Sequence, residues 1–308
     1  MRTPSANPTS WANKHPGKSL SERLIGTGLF ILATVSVLTT AAVIVVLFSE
    51  TFQFFRQVPL VEFLFAPEWT PLFADPRYGI GALLAGTFLF TGIGLIVAIP
   101  LGLMTAAYLS EYASFEQSVR VKGLMELLEG IPTVVFGYFA LLFITPIMQN
   151  LIPGLNLFNP LSAGLVLGFA ILPYISNVAS DAMMAVPRSL REAAYALGAT
   201  KFEVVTRVVF PAAISGIVAA ILLATSRAIG ETMIAAIAAG QRPLLTLDPR
   251  ETIATMTSYI VQAATGDQPA GSLASRALFS VGATLFVLTL AFNILAQRIV
   301  ERYRERYE

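Results

Sequence analysis

The sequence lacks most of the side chains that carry out enzyme chemistry. It has no cysteine and a single histidine among 308 residues. Disulfides, iron–sulfur centres and thiol nucleophiles are therefore excluded. The lone His15 lies in a polar N-terminal stretch, where a histidine is ordinarily solvated. The sequence predicts no catalytic residue and no metal ligand, and so a protein that is not itself an enzyme.

Charged residues are also scarce, at 13% of the chain with a net charge of +1. Soluble domains carry about 25% charged residues. A near-neutral chain gives no case for nucleic-acid binding, which requires a clustered basic face. With 55% hydrophobic residues and a mean hydropathy of +0.70, the composition indicates a membrane protein.

Long apolar segments are abundant, and a spanning helix needs about 20 such residues. The first segment is too long for the apolar core of a secretory signal, so it is predicted to be a retained span. The sequence predicts an all-α membrane protein with a polar tail at 1–23, one membrane domain at 24–297 and a second tail at 298–308. The six predicted spans lie at about 24–48, 81–109, 124–149, 161–184, 211–240 and 275–297.

The distribution of basic residues predicts the orientation of these spans. Fourteen of the twenty lysines and arginines lie in the two tails and in the loops 110–123 and 185–210. Five lie in the segments on the opposite side, and the last is Arg227. Cytoplasmic loops carry the excess of basic residues. Both termini are therefore predicted to be cytoplasmic.

The loop 185–210 has the composition of two short helices separated by a glycine. Pro187 suits a first helical turn, alanines fill the segment after it, and Gly198 suits a helix end. An amphipathic stretch then leads into the fifth span at Pro211. The pattern predicts a short rigid helix exposed to the cytoplasm.

The stretch "REAAYALGATKFEVVTRVVFP" (191–211) resembles the EAA loop of ABC-importer permeases. Val208 and Phe210 stand at the apolar places of a family pattern that usually ends in Ile-x-Leu-Pro. The resemblance implies a coupling helix at 187–198 that is seated in a cleft of a separate ATPase subunit. The residues it assigns to this role are Glu192, Ala193, Ala194 and Gly198.

Three further stretches are similar to the permeases of phosphate-specific ABC importers: "FLFAPEWTPLF" (63–73), "LLEGIPTVVFGY" (127–138) and "SRAIGETM" (226–233). Glu68-Trp69-Thr70-Pro71 and Met233 resemble the C-type permease of that family. The resemblance implies a type I ABC-importer permease in the bacterial cytoplasmic (inner) membrane that imports phosphate. It also implies an A-type permease, an ATPase dimer that binds ATP–Mg, and an extracytoplasmic phosphate-binding protein as partners. This chain would bind no cofactor itself.

Two charges interrupt the fifth span, four residues apart, at Arg227 and Glu231. Ionised side chains inside a membrane are costly and often mark a substrate pathway. The guanidinium fork of Arg227 suits phosphate oxygens, and Glu231 is predicted to pair with it between transport events. An internal ion pair without a transport role is the alternative. Glu129 and Asp181, near the ends of predicted spans, are possible secondary polar sites.

Small residues recur at every fourth position of the fifth span, among them Gly216, Ala220, Ala224 and Ala228. Neighbours four apart lie on one helix face, so another helix can approach closely there. This pattern predicts an interface with the partner permease.

Two other functions are compatible with the charged residues in the fifth span. An anion transporter or channel without an ATPase would explain Arg227 and Glu231, but it leaves the EAA loop without a role. An ABC permease for another oxyanion, sulfate or molybdate, would keep every feature described above.

Overall fold

A computed structural model describes residues 16–71, 73, 75–269 and 271–303. Residues 1–15 of the predicted tail 1–23 and residues 304–308 of the predicted tail 298–308 lie outside the described residues. Within the described ranges the secondary structure is helical, apart from an isolated bridge between Trp69 and Tyr78. The chain forms two compact units that divide between Ser49 and Glu50.

Helix α1, Pro16–Phe55, contains the described residues of the first unit and the first residues of the second. Residues 24–49 contain no charged side chain. Large apolar side chains of this stretch, such as Leu24 and Phe30, are exposed. An apolar surface of this kind is what a lipid-facing helix presents.

The second unit consists of helices, with the two longest connections at 66–80 and 240–255. Several helices continue directly into π-helical turns. The α-helices are α2 (Leu60–Phe65), α3 (Gly81–Ala107), α4 (Phe115–Glu129), α5 (Thr133–Phe139), α6 (Thr145–Leu151), α7 (Pro160–Met184), α8 (Arg188–Ala196), α9 (Lys201–Val204), α10 (Phe210–Ala212), α11 (Ile214–Ile229), α12 (Met256–Thr265) and α13 (Leu273–Tyr303). The π-helical turns are Tyr108–Tyr112, Ala140–Ile144, Val205–Val209 and Ala235–Ala239.

Five helical segments of the described chain are long and apolar enough to cross a membrane. The number rises to six if the bent pair Lys201–Ala212 and Ile214–Ile229 counts as one span. The predicted all-α membrane fold is thereby confirmed. The five segments are Ser21–Phe55, Gly81–Tyr112, Thr133–Leu151, Pro160–Met184 and Leu273–Ile299.

The third membrane segment begins later than the sequence predicted. Helix α4 ends at Glu129, and the segment that is long enough to cross the membrane starts at Thr133 rather than at 124. Gly130 caps α4, and Pro132 disfavours helical backbone at the residue before it. Glu129 consequently lies in the last turn of α4 and not inside the span.

The predicted continuous helix at 211–240 is wrong, because the chain breaks on both sides of α11. Lys201–Ala212 meets α11 at an angle of 73° beside Pro211. Gly230 then caps the end of α11, five residues before the π-helical turn Ala235–Ala239. Proline removes a backbone donor and glycine favours helix ends, so both breaks have a local cause.

Helices α3 and α7 approach closely because glycines face the neighbouring helix. A Cβ atom added to Gly164 would lie 2.7 Å from the Cβ of Ile93, and one added to Gly168 would lie 2.7 Å from the Cβ of Val97. Small residues allow the backbones of membrane helices to pack at short distance. The α3–α7 pair is therefore the rigid frame of the second unit.

The small-residue ridge of α11 packs against α7 of the same chain. A Cβ added to Gly216 would lie 2.3 Å from the Cβ of Ala182. Ala224 and Ala228 are fully buried and belong to one apolar cluster with Ile175 of α7. The prediction that this ridge meets the partner permease is wrong, since α7 already occupies it.

Candidate functional site

Arg227 lies in the last turn of α11, where the helix dipole favours a positive charge. Its guanidinium carbon is 4.2 Å from the ring centroid of Tyr174 on α7. A cation at this distance is attracted by the negative face of the aromatic ring. Arg227 is otherwise exposed, so the ring fixes the guanidinium while its donors stay accessible.

Glu231 lies just beyond the end of α11 and organises the chain that follows. Its Oε1 atom accepts hydrogen bonds from the backbone N–H groups of Met233 at 3.1 Å and Ile234 at 3.3 Å. These are the donors that a helix N-cap satisfies. The Glu231 carbonyl oxygen accepts a hydrogen bond from the Thr257 hydroxyl at 2.8 Å. Glu231 thus stabilises the break between α11 and the π-helical turn.

Arg227 and Glu231 are not an ion pair in this structure. None of the salt bridges within the described residues includes either side chain. The two residues do not lie on one continuous helix, because α11 ends at Ile229. Each side chain has its own partner: Arg227 has the Tyr174 ring and Glu231 has backbone N–H groups.

A row of polar side chains continues from Tyr174 along α7. Tyr174, Asn177 and Asp181 are spaced by three and four residues and therefore lie on one helix face. The Asn177 side-chain amide donates to Glu129 Oε1 at 3.4 Å. The Lys122 ammonium lies 3.4 Å from Asp181 Oδ1. We call Tyr174, Asn177 and Asp181 the polar face of α7.

The polar face of α7 connects Arg227, Glu129 and Asp181, which the sequence analysis had considered separately. Arg227 contacts its first member, Glu129 contacts its second, and Asp181 is its third. Sequence reasoning missed Tyr174 and Asn177. The available signal was their helical spacing with Asp181 inside an otherwise apolar span.

The loop 185–210 contains the predicted short helix, now defined as α8. Glu192 and Ala193 are exposed and Ala194 is half-buried. Gly198 has φ +83°, a left-handed conformation that glycine adopts at low cost. It turns the chain towards α9, which begins with a capping box between Thr200 and Glu203.

Large side chains are exposed around this turn. Leu197 is 89% exposed, and Phe202 and Tyr195 are also exposed. Exposed apolar side chains that cluster on one surface indicate an interaction site.

In the described part of the chain, no group of acidic, cysteine or histidine side chains could hold a metal ion.

Comparison with known proteins identifies the family. Residues 98–305 match the family described as binding-protein-dependent transport system inner membrane component. The chain belongs to this family. Its members in ABC importers are non-catalytic membrane subunits of the bacterial inner membrane. Family membership removes the alternative of a transporter that works without an ATPase.

Two curated bacterial relatives align with most of this transport permease. A probable ABC transporter permease protein, YqgH of Bacillus subtilis, is 30% identical over 94% of this chain and 98% of its own. The phosphate transport system permease protein PstC of Haemophilus influenzae is 32% identical over 79% of this chain and 82% of its own. The family assignment therefore extends well beyond the EAA loop.

Among solved structures, the permease is similar to a bacterial ABC transporter involved in the import of the acidic polysaccharide alginate. The TM-score is 0.62 and the sequence identity 16%, over 95% of this chain and 100% of that chain. The same kind of transporter in complex with an alginate pentasaccharide-bound periplasmic protein gives a TM-score of 0.58 at 17% identity, over 89% and 94% of the two chains. These likenesses show the ABC-importer permease fold.

Proposed function

We propose that this permease forms half of the membrane channel of an ABC importer for inorganic phosphate. The name of the Haemophilus relative supports phosphate as the substrate. The name of the Bacillus relative gives no substrate, so the argument for an anion rests on the residues of the site. An A-type permease supplies the other half of the channel.

The observation that carries this proposal is the environment of Arg227. Its guanidinium group rests on the Tyr174 ring at 4.2 Å and has no carboxylate partner among the described residues. A planar guanidinium presents five donors in a fork that matches phosphate oxygens. A stacked but uncompensated arginine inside a membrane domain is a binding site for an anion in transit.

The polar face of α7 extends the proposed pathway from Arg227. Asn177 and Lys122 engage the carboxylates of Glu129 and Asp181, at 3.4 Å in each case. A free carboxylate would repel a passing anion, and a nearby donor or cation reduces that repulsion. Glu129 and Asp181 are secondary polar sites in this proposal and do not bind phosphate directly.

Helix α8 is proposed to couple transport to ATP hydrolysis. Glu192, Ala193, Ala194 and Gly198 match the EAA loop, and Leu197 beside them is almost fully exposed. A short helix that ends at a left-handed glycine forms a compact protruding element, which is proposed to fit a cleft in a separate ATPase subunit. An ATPase dimer would push on this helix, and an extracytoplasmic phosphate-binding protein would deliver the substrate.

The proposed orientation has both termini in the cytoplasm, with the membrane domain at 24–297 between two polar tails. Its support is the division of basic residues, fourteen against five, between the two sides of the membrane. This orientation places α8 on the side where ATP is available.

Arg227→Gln tests the proposed phosphate site. Arg227→Lys keeps the positive charge and tests whether the planar guanidinium group is also needed. Charge-assisted hydrogen bonds contribute about 1.5–3 kcal/mol each. A difference of about 1.4 kcal/mol corresponds to a tenfold change in binding affinity. We expect Arg227→Gln to lower ATP-dependent phosphate uptake by roughly tenfold or more in proteoliposomes that hold the complete complex. Arg227→Lys should retain more phosphate uptake than Arg227→Gln, but less than the unmodified protein.

Arg120→Gln is the matched control, because Arg120 is an exposed arginine of α4 outside the proposed pathway. It should transport phosphate at the unmodified rate. Uptake by Arg227→Gln equal to that of Arg120→Gln would contradict the assigned role of Arg227.

A further inference from the structure

The Arg191 side chain of α8 is largely covered by other residues, although the neighbouring residues of this helix are exposed. Its side chain is 14% exposed, and that of its partner Glu111 is 7% exposed. Arg191 Nη2 lies 2.9 Å and Nε 3.2 Å from Glu111 Oε1. Glu111 belongs to the π-helical turn Tyr108–Tyr112, which directly continues α3.

The same guanidinium also binds the end of α7. Nη2 donates to the Met183 carbonyl oxygen at 2.8 Å, and Nη1 donates to the Val186 carbonyl oxygen. Carbonyl groups at a helix C-terminus lack intrahelical donors and carry the negative end of the dipole. Every nitrogen of the Arg191 guanidinium therefore has an acceptor within the described residues.

We infer that Arg191 is the positioning residue that transmits movement of α8 to the transmembrane helices. This inference rests on the proposed coupling role of α8. A displacement of α8 moves Arg191, and Arg191 is bonded to both α3, through Glu111, and α7. These two helices form the rigid frame of the second unit, and α7 carries the polar face on which Arg227 rests.

The π-helical turn suits a joint of this kind. π-Helical turns are uncommon and occur frequently at functional sites, because the extra residue loosens the regular hydrogen-bond ladder. Glu111 lies within such a turn and not in the regular part of α3. Because this turn continues α3 without a break, a movement of Arg191 reaches the end of α3 through Glu111.

A structural pair and a transmitting pair respond differently to replacement by apolar residues. Removing one member of a buried pair leaves an uncompensated charge, whereas replacing both by apolar residues of similar size commonly retains stability. The double variant Arg191→Met/Glu111→Leu therefore removes the connection to α7 and Glu111 while keeping the site packed. Arg120→Met removes an exposed ion pair of α4 and is the control.

The experiment uses the complete complex in proteoliposomes and measures ATPase co-purification, ATP hydrolysis and phosphate transported per ATP. We expect the double variant to assemble and to hydrolyse ATP like the control, while the phosphate-to-ATP ratio falls by about tenfold, within the usual range of allosteric coupling. An unchanged ratio would overturn the transmission role. A wild-type complex that retains no ATPase would instead contradict the proposed function, and with it this inference.

Discussion

At the scale of single residues, an arginine inside a membrane domain is costly, and Arg227 reduces that cost by stacking on Tyr174. Cation–π contacts contribute about 0.5–2 kcal/mol and leave the positive charge of the guanidinium without a counter-ion. The contact at 4.2 Å therefore holds the side chain in place without neutralising it. A site of this type can bind an anion and release it again.

Glu231 has a separate role that can be tested by comparing two substitutions. Its Oε1 atom caps the backbone N–H groups of Met233 and Ile234. Glu231→Ala removes the cap, and loss of an N-cap costs about 0.5–2 kcal/mol. We expect Glu231→Ala to lower the thermal unfolding midpoint of the purified permease, and Glu231→Gln to retain most of it because an amide oxygen can still accept.

Phosphate uptake separates this role from pairing with Arg227. If Glu231 acts only by capping, Glu231→Gln should transport nearly as well as the unmodified protein. Loss of uptake in a Glu231→Gln complex of normal stability would show that capping is not the only role of Glu231. It would favour pairing of Glu231 with Arg227 between transport events.

At the scale of helices and loops, Gly198 determines the shape of the proposed coupling surface. A Cβ atom at this position would meet nothing within 4 Å, so a substitution acts through the φ of +83° and through the surface it presents. Strain of this kind costs about 1–3 kcal/mol. We expect Gly198→Leu to insert into the membrane and to lose the ATPase on purification.

Gly154 provides a matched control for backbone strain. It has φ +79°, and a Cβ atom there would also meet nothing within 4 Å, but it lies in the loop between α6 and α7. Gly154→Leu should therefore cost similar stability and keep the ATPase bound. Equal ATPase retention by the two variants would count against α8 as the docking surface.

The ridge on α11 gives a second prediction at this scale. Ala224 is fully buried against α7, whereas Leu223 is 50% exposed. Inserting methylene groups into a packed site costs about 1–3 kcal/mol. Ala224→Leu should lower the thermal unfolding midpoint of the permease by itself, without the partner permease, and Leu223→Ala should change it little. An unchanged midpoint for Ala224→Leu would contradict tight packing between α11 and α7 at this position.

The sequence predicts apolar helices well because a bilayer requires long apolar segments, and it predicts breaks between them poorly. Gly230 reads as one more small residue in a span, yet it ends α11 and separates Arg227 from Glu231. Tyr174 and Asn177 were missed because their partners, Arg227 and Glu129, lie far from them along the chain. Helix α8 and the turn at Gly198 were predictable because both are set by local sequence.

At the scale of the whole molecule, the orientation predicted from the distribution of basic residues can be measured with introduced thiols. The chain has no cysteine, so any labelling comes from the introduced residue. Leu157 and Leu197 are both exposed and lie in loops on opposite predicted sides. Leu157→Cys should react with an impermeant thiol reagent added to intact cells, and Leu197→Cys should react only after the cells are opened. The reverse pattern would overturn the proposed topology.

The central claim, that this permease belongs to a phosphate importer driven by ATP, is tested most directly by transport. The complete complex with its A-type permease, ATPase dimer and binding protein would be placed in proteoliposomes, and uptake of labelled phosphate would be followed with and without ATP. We expect uptake that requires ATP and that is suppressed by excess unlabelled phosphate but not by sulfate or molybdate. Uptake without ATP, or suppression by sulfate or molybdate as strong as that by phosphate, would contradict it.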